Sequence, residues 1–147
     1  MKGKKYQGFS LIEILVVVAL IIILATITIV AINPAKNFRD SRNAERSAEV
    51  SELLNAITQY TSEEGNNIAD FGTITSCTTG TSNIGSGTGE IDLETLLVDE
   101  YIVEIPVDPS VDAATSTDTG YDICITDSGR IQIDAPLAEE KTITVKR

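Results

Sequence analysis

The chain has 147 residues, 22 acidic against 11 basic, with no His and no Trp, and a formal net charge of −11. That length allows one modest domain plus an appended element. A surface this acidic repels nucleic-acid phosphate and anionic lipid, and a chain without His lacks the usual general base near neutral pH.

Residues 1–8 read as a short basic leader carrying Lys2, Lys4 and Lys5 and ending at Gly8. A chain cut there keeps 8 basic residues against 22 acidic, a net charge of −14. A secretory signal would show a shorter apolar core closed by a small-x-small cleavage site, and none stands at the end of this one. Phe9-Ser10-Leu11-Ile12-Glu13 follows, and then Ile14–Ile32 runs without a charge, almost entirely Ile, Leu, Val and Ala. As a helix this run spans about 28 Å at ~1.5 Å per residue, the thickness of a bilayer hydrocarbon core. It reads as a single membrane span.

Basic residues flank the span on both sides, Lys2, Lys4 and Lys5 before it and Lys36, Arg39, Arg42 and Arg46 after it. The positive-inside rule therefore gives no orientation. The N-terminus is placed inside because the part beyond the span looks exported. Glu13 is the residue that hydrophobicity does not explain. It has two readings: an interfacial carboxylate favoured by the dipole at a helix start, or one half of an ion pair between neighbouring subunits. The second needs a free amine on Phe9, which cleavage after Gly8 would create.

Asn33-Pro34 predicts a break or kink, since Pro34 lacks the N–H of a helix hydrogen bond and clashes with the preceding turn. A second helical pattern then carries Ala44, Ala48, Leu53, Leu54, Ile57 and Tyr60 as one apolar stripe, with Lys36, Arg39, Arg42 and Arg46 on a different face. Glu63-Glu64-Gly65-Asn66-Asn67 ends it. The N-terminal helix is thus expected over residues 9–63, and an acidic globular head over 64–147.

Thr73–Gly89 is rich in Thr, Ser and Gly and reads as a loop with at most one short strand; its glycine run lacks the spacing and the lysine of a phosphate loop. Asp92 is placed to cap a short helix that turns Leu93, Leu96, Leu97 and Tyr101 inward. Ile105-Pro106-Val107-Asp108-Pro109 is expected to be extended. Tyr121, Ile123 and Ile125 alternate as a half-buried strand; Asp127-Ser128-Gly129 supplies a turn, Ile131 and Ile133 return, and Ile143 and Val145 mark a third strand. The fold class is α+β: a long N-terminal helix, apolar in its first half, packed through its second half on a small antiparallel sheet.

Cys77 and Cys124 are too far apart for a CxxC redox pair, and without His they make a poor zinc site. A bond between them would stabilise the fold by roughly 4 kcal/mol and requires an oxidising compartment. Two unrelated buried thiols are the alternative; the exported look of the head favours the bond. Asp108, Asp112, Asp118 and Asp122 could offer oxygen ligands to calcium, but their spacing matches no calcium loop, and a solvated loop is preferred. No metal, cofactor or catalytic constellation is expected.

The Lys-rich leader, Gly8, Phe9-Ser10-Leu11-Ile12-Glu13 and the long apolar run together resemble the N-terminus of type IV pilins and of type II secretion pseudopilins, over about residues 1–35. The resemblance implies that a prepilin peptidase cuts between Gly8 and Phe9 and methylates the Phe9 amine. It also implies that Glu13 pairs with that amine during assembly, and that the chain forms a homopolymer through its N-terminal helix with the help of the pilus assembly machinery. The expected function is a structural filament subunit, first a single-span membrane protein with its head outside and then part of a filament. A pseudopilin, or from a different class a signal-anchored monomeric surface binding protein, is the alternative. One departure is the lack of Gly or Pro within Ile14–Ile32, which moves the expected place of helix unwinding to Thr26–Pro34.

Overall fold

The computed structural model describes residues 8–113 and 116–147. Residues 1–7 of the leader lie outside that description. The chain divides into two compact units, one up to Phe38 and one from Arg39 to Arg147.

The first unit is built on α1, Leu11–Ile32, 22 residues of which none is buried. At ~1.5 Å per residue it is about 33 Å long. Thr26 and Thr28 are the hydroxyl-bearing residues within it, and each bonds back to the carbonyl four residues earlier, at 2.8 Å to Ile22 and to Leu24. Both hydroxyls are therefore satisfied within the helix, as polar groups in lipid must be. It stops at Asn33, which takes the left-handed conformation with φ 46°. Pro34 opens α2, Pro34–Ser62, where its missing N–H costs nothing. Asn37 Nδ2 donates to the freed carbonyl of Ile32 at 3.1 Å.

In the second unit, α2 supplies Val50, Leu53, Leu54, Ala56, Ile57 and Tyr60 to the core. Asn67 and Asp70 form a reciprocal cap around a short 3-10 turn, Ile68–Phe71, which brings Phe71 onto Tyr60 with ring centroids 4.9 Å apart. The strands are β1 (Ser82–Gly85), β2 (Asp118–Ile125), β3 (Ile131–Asp134) and β4 (Thr144–Lys146). Among the described residues they form a four-stranded sheet in the order β1-β2-β3-β4, with every pair antiparallel. Tyr121, Ile123 and Ile133 are fully buried on its inner face, in one cluster with the α2 stripe. The expected α+β architecture is the observed one.

The Thr/Ser/Gly stretch does hold one short strand, the edge strand β1, although the alternation of apolar residues did not mark its place. Ile84 is its main apolar anchor, too little for a period to register. The helix stripe needs correction at its start: Leu53, Leu54, Ile57 and Tyr60 are buried as expected, but Ala44 and Ala48 are exposed, whereas Asn43 and Arg46 are buried. Small alanines contribute little burial, and a buried carboxylate claims Arg46 instead. Asp92 accepts from the Glu94 N–H at 2.9 Å one residue ahead of Leu93, which holds the N-cap position of α3, Glu94–Leu97; Leu93 and Leu97 turn into the core.

Candidate functional site

The N-terminal segment starts in extended backbone. Gly8 is exposed, Phe9 is 78 % exposed and Ser10 sits at the N-cap with φ −76° and ψ 143°. A Cβ built on Gly8 meets no atom within 4 Å. The fold of this chain places no demand for glycine there, so any such demand arises in a partner that grips the backbone. The Ser10 side chain makes no cap bond, while its carbonyl receives the amides of Glu13 at 3.1 Å and Ile14 at 3.3 Å. Glu13 lies in the first turn of α1 and is the one charged residue of that helix. A carboxylate there complements the partial positive charge of the unbonded N–H groups.

Sixteen of the 22 residues of α1 are exposed Leu, Ile or Val. Covering one such side chain contributes about 1.5–3 kcal/mol, so a helix bare on every face must be covered by lipid or by other apolar helices.

The second unit holds a polar cluster that the sequence did not reveal. The Arg46 guanidinium is fully buried and forks onto Asp108, with Nε to Oδ2 at 2.6 Å and Nη2 to Oδ1 at 3.0 Å. It also donates to Ser110 Oγ at 2.6 Å and to Asn43 Oδ1 at 3.1 Å, and it lies 3.5 Å from Glu139. Arg42 forks onto Glu139 at 2.6 and 2.8 Å, and Arg39 meets Glu140 at 2.7 Å. Burial alone would raise the Asp108 carboxyl, but Arg46 and the Ser110 N–H hold it below its ordinary value. The Arg42 bond does the same for Glu139. Three predicted surface cations thus clamp α2 to the 108–110 and 139–140 loops. A signal did exist: Arg46 stands four, seven and eleven residues before Val50, Leu53 and Ile57, in phase with the stripe.

Gly120 permits the clamp. Its φ is +80°, and a Cβ there would lie 2.9 Å from Asp108 Cβ and from Val111 Cγ2, so only glycine lets the Asp108 loop lie on β2. Nearby, the Tyr121 hydroxyl donates to Glu49. Burial raises the Glu49 carboxyl, the Tyr121 bond lowers it, and the charges of Glu45, Asp108 and Glu52 raise it further; the balance is upward. Burial also pushes the Tyr121 phenol up, helped by Glu49.

The four aspartates considered for calcium do not converge on a free site. Asp108 is taken by Arg46, Asp118 accepts from Asn83 and the Gly120 N–H, and Asp122 accepts from Thr81. No group of three or more His, Cys, Asp or Glu side chains arranged to hold a metal occurs among the described residues. Cys77 and Cys124 form a disulfide with Cα atoms 5.0 Å apart, joining the Thr-rich loop to β2.

Residues 3–29 match the prokaryotic N-terminal methylation motif. No curated protein and no solved structure matches the chain. The motif implies a prepilin peptidase substrate inserted in the membrane by its N-terminal helix, and it points to a structural protein rather than an enzyme. The chain carries the type IV pilin and pseudopilin signature, on a long helix backed by an antiparallel sheet.

Proposed function

We propose that this protein is the structural, non-catalytic subunit of a type IV pilus-like filament. It enters the membrane as a prepilin with its head outside, is cut after Gly8, is N-methylated on Phe9 and polymerises through its N-terminal helix. The pilus assembly machinery would draw it from the bilayer. The observation that carries this reading is α1: none of its residues is buried, and one carboxylate, Glu13, stands in the first turn of an otherwise uncharged helix.

Lipid covers such a helix in the precursor, and neighbouring copies of α1 cover it in the filament. The amine freed on Phe9 and the carboxylate of Glu13 are each costly away from water. Paired between adjacent subunits, they neutralise one another and fix an axial offset that apolar surfaces alone would leave free to slide.

Mass spectrometry of protein recovered from cells and from sheared filaments tests this. The expected mature chain begins at a methylated Phe9. A retained Met1 start, or a cut beyond Ile32, would overturn the reading.

A further inference from the structure

A groove beside one sheet edge and a corner at the other differ in charge. β1 and β4 are the two edges. On the β1 side, the segment Val103–Val107 borders Ile84 and Gly85 and also forms a groove of about 450 Å³ with α2. Its apolar lining includes Ile105, Pro106, Val107 and the highly exposed Val103, and its carboxylates are Glu49, Glu52 and Glu104. No Lys or Arg lines it, and none occurs between Glu63 and Asp127. Burial first, and the nearby carboxylates Glu45, Asp108 and Glu52 after it, hold the Glu49 carboxyl above its ordinary value against the Tyr121 bond that lowers it.

One corner at the opposite edge is basic, whereas Asp134 lies further along the same strand pair. Ile131 and Arg147 exchange backbone hydrogen bonds at 3.0 Å, and Gln132 pairs with Lys146, so Arg130, Lys146 and Arg147 share one corner of the sheet. Asp127 is the carboxylate of the adjoining turn. Among the described residues Arg130 and Lys146 form no ion pair, and Arg147 donates to Asn55 rather than to an acid. The arginines of α2 that face the loops, in contrast, are each matched to a carboxylate.

Two surfaces of opposite sign at opposite edges of one sheet suit a heterologous contact, which propagates from copy to copy instead of closing on itself. An isologous contact would set like charges face to face. We propose that a second copy of this chain occupies the Glu49–Glu52–Glu104 groove, entering with its Arg130–Lys146 corner. The aliphatic stems of the incoming Arg and Lys cover the exposed Val103 side chain while their charged ends meet the carboxylates. This contact rests on the filament reading and adds to it a head-to-head register distinct from the packing of α1.

The test uses filaments assembled from the full chain. Arg130→Cys/Glu104→Cys filaments treated with a short bis-maleimide should give a ladder of cross-linked multimers, and neither single variant should. Glu104→Arg should lower filament yield about tenfold by setting like charges together, and adding Arg130→Glu should restore it. Unchanged thermal unfolding of each exposed-site variant separates lost contact from lost fold. Normal filaments without a ladder, normal yield from Glu104→Arg, or cross-links to a different protein would overturn this contact while leaving the filament reading intact. Absence of filaments from the processed wild-type chain would instead defeat both.

Discussion

Arg46 shows how a single side chain fixes the setting of a helix. Its charge is fully buried, and the only reason it can stay there is the fork onto Asp108 with Ser110 and Asn43 filling the remaining positions. Replacing Arg46 by Met leaves the Asp108 carboxylate buried without a counter-charge, and should cost about 3–5 kcal/mol in denaturant unfolding. Arg46→Met/Asp108→Asn removes that orphan charge, keeps an acceptor for the Ser110 N–H, and should recover most of the loss. A double variant as unstable as the single would show that the pair is not the source of the effect. The same residues set an acid limit. Asp108 and Glu139 have carboxyls held below their ordinary values, so their contribution is present above those values and is lost as pH falls through the lowered ones. Glu49 acts in the opposite sense: its raised carboxyl favours the folded state below its ordinary value, and that advantage disappears as pH rises through the raised one. Glu49→Gln should therefore gain stability relative to wild type on going from acid to neutral pH, measured by unfolding across pH 3–7 (a range of ordinary carboxylate titration). An offset independent of pH would contradict the assignment.

At the scale of elements, the 105–111 segment lies flat on β2 because Gly120 has no side chain. Gly120→Ala meets both a left-handed φ and contacts of 2.9 Å to two side chains, and should destabilise the unit by about 2–3 kcal/mol. A smaller loss for Gly120→Ala than for an alanine placed at exposed Gly129 would show that close approach is not the constraint. The junction of α1 and α2 follows equally local rules. Asn tolerates the left-handed conformation, Pro suits the first helical turn, and Asn37 recovers the stranded carbonyl. The sequence located this break from Asn33-Pro34 alone. It located β2 and β3 as well, because Tyr121, Ile123, Ile131 and Ile133 alternate without interruption. For β1 it allowed one short strand in the Thr/Ser/Gly stretch without its position, since Ser82-Asn83-Ile84-Gly85 offers one large apolar residue and becomes a strand by pairing with β2.

For the whole molecule, the proposed assembly requires the carboxylate of Glu13 in one copy and the amine of Phe9 in another. Glu13→Ala and Glu13→Gln should insert in the membrane as the wild type does, yet reduce sheared filament by about tenfold or more, the cost of leaving a buried charge unpaired. Wild-type filament yield from both would remove the ion pair from the proposal. The N-terminal motif was legible without a structure because its parts are contiguous: leader, Gly8, Phe9, Glu13 and the apolar run form one linear pattern, and residues 3–29 match the methylation motif. Amphipathic period likewise determined that a helix must meet a sheet. Tertiary structure alone decided where the inward face of α2 begins, with Asn43 and Arg46 in place of Ala44 and Ala48, and that Arg46 is core and not surface. Its partner Asp108 lies 62 residues away, and no local period encodes a contact whose stability depends on two distant segments leaving water together.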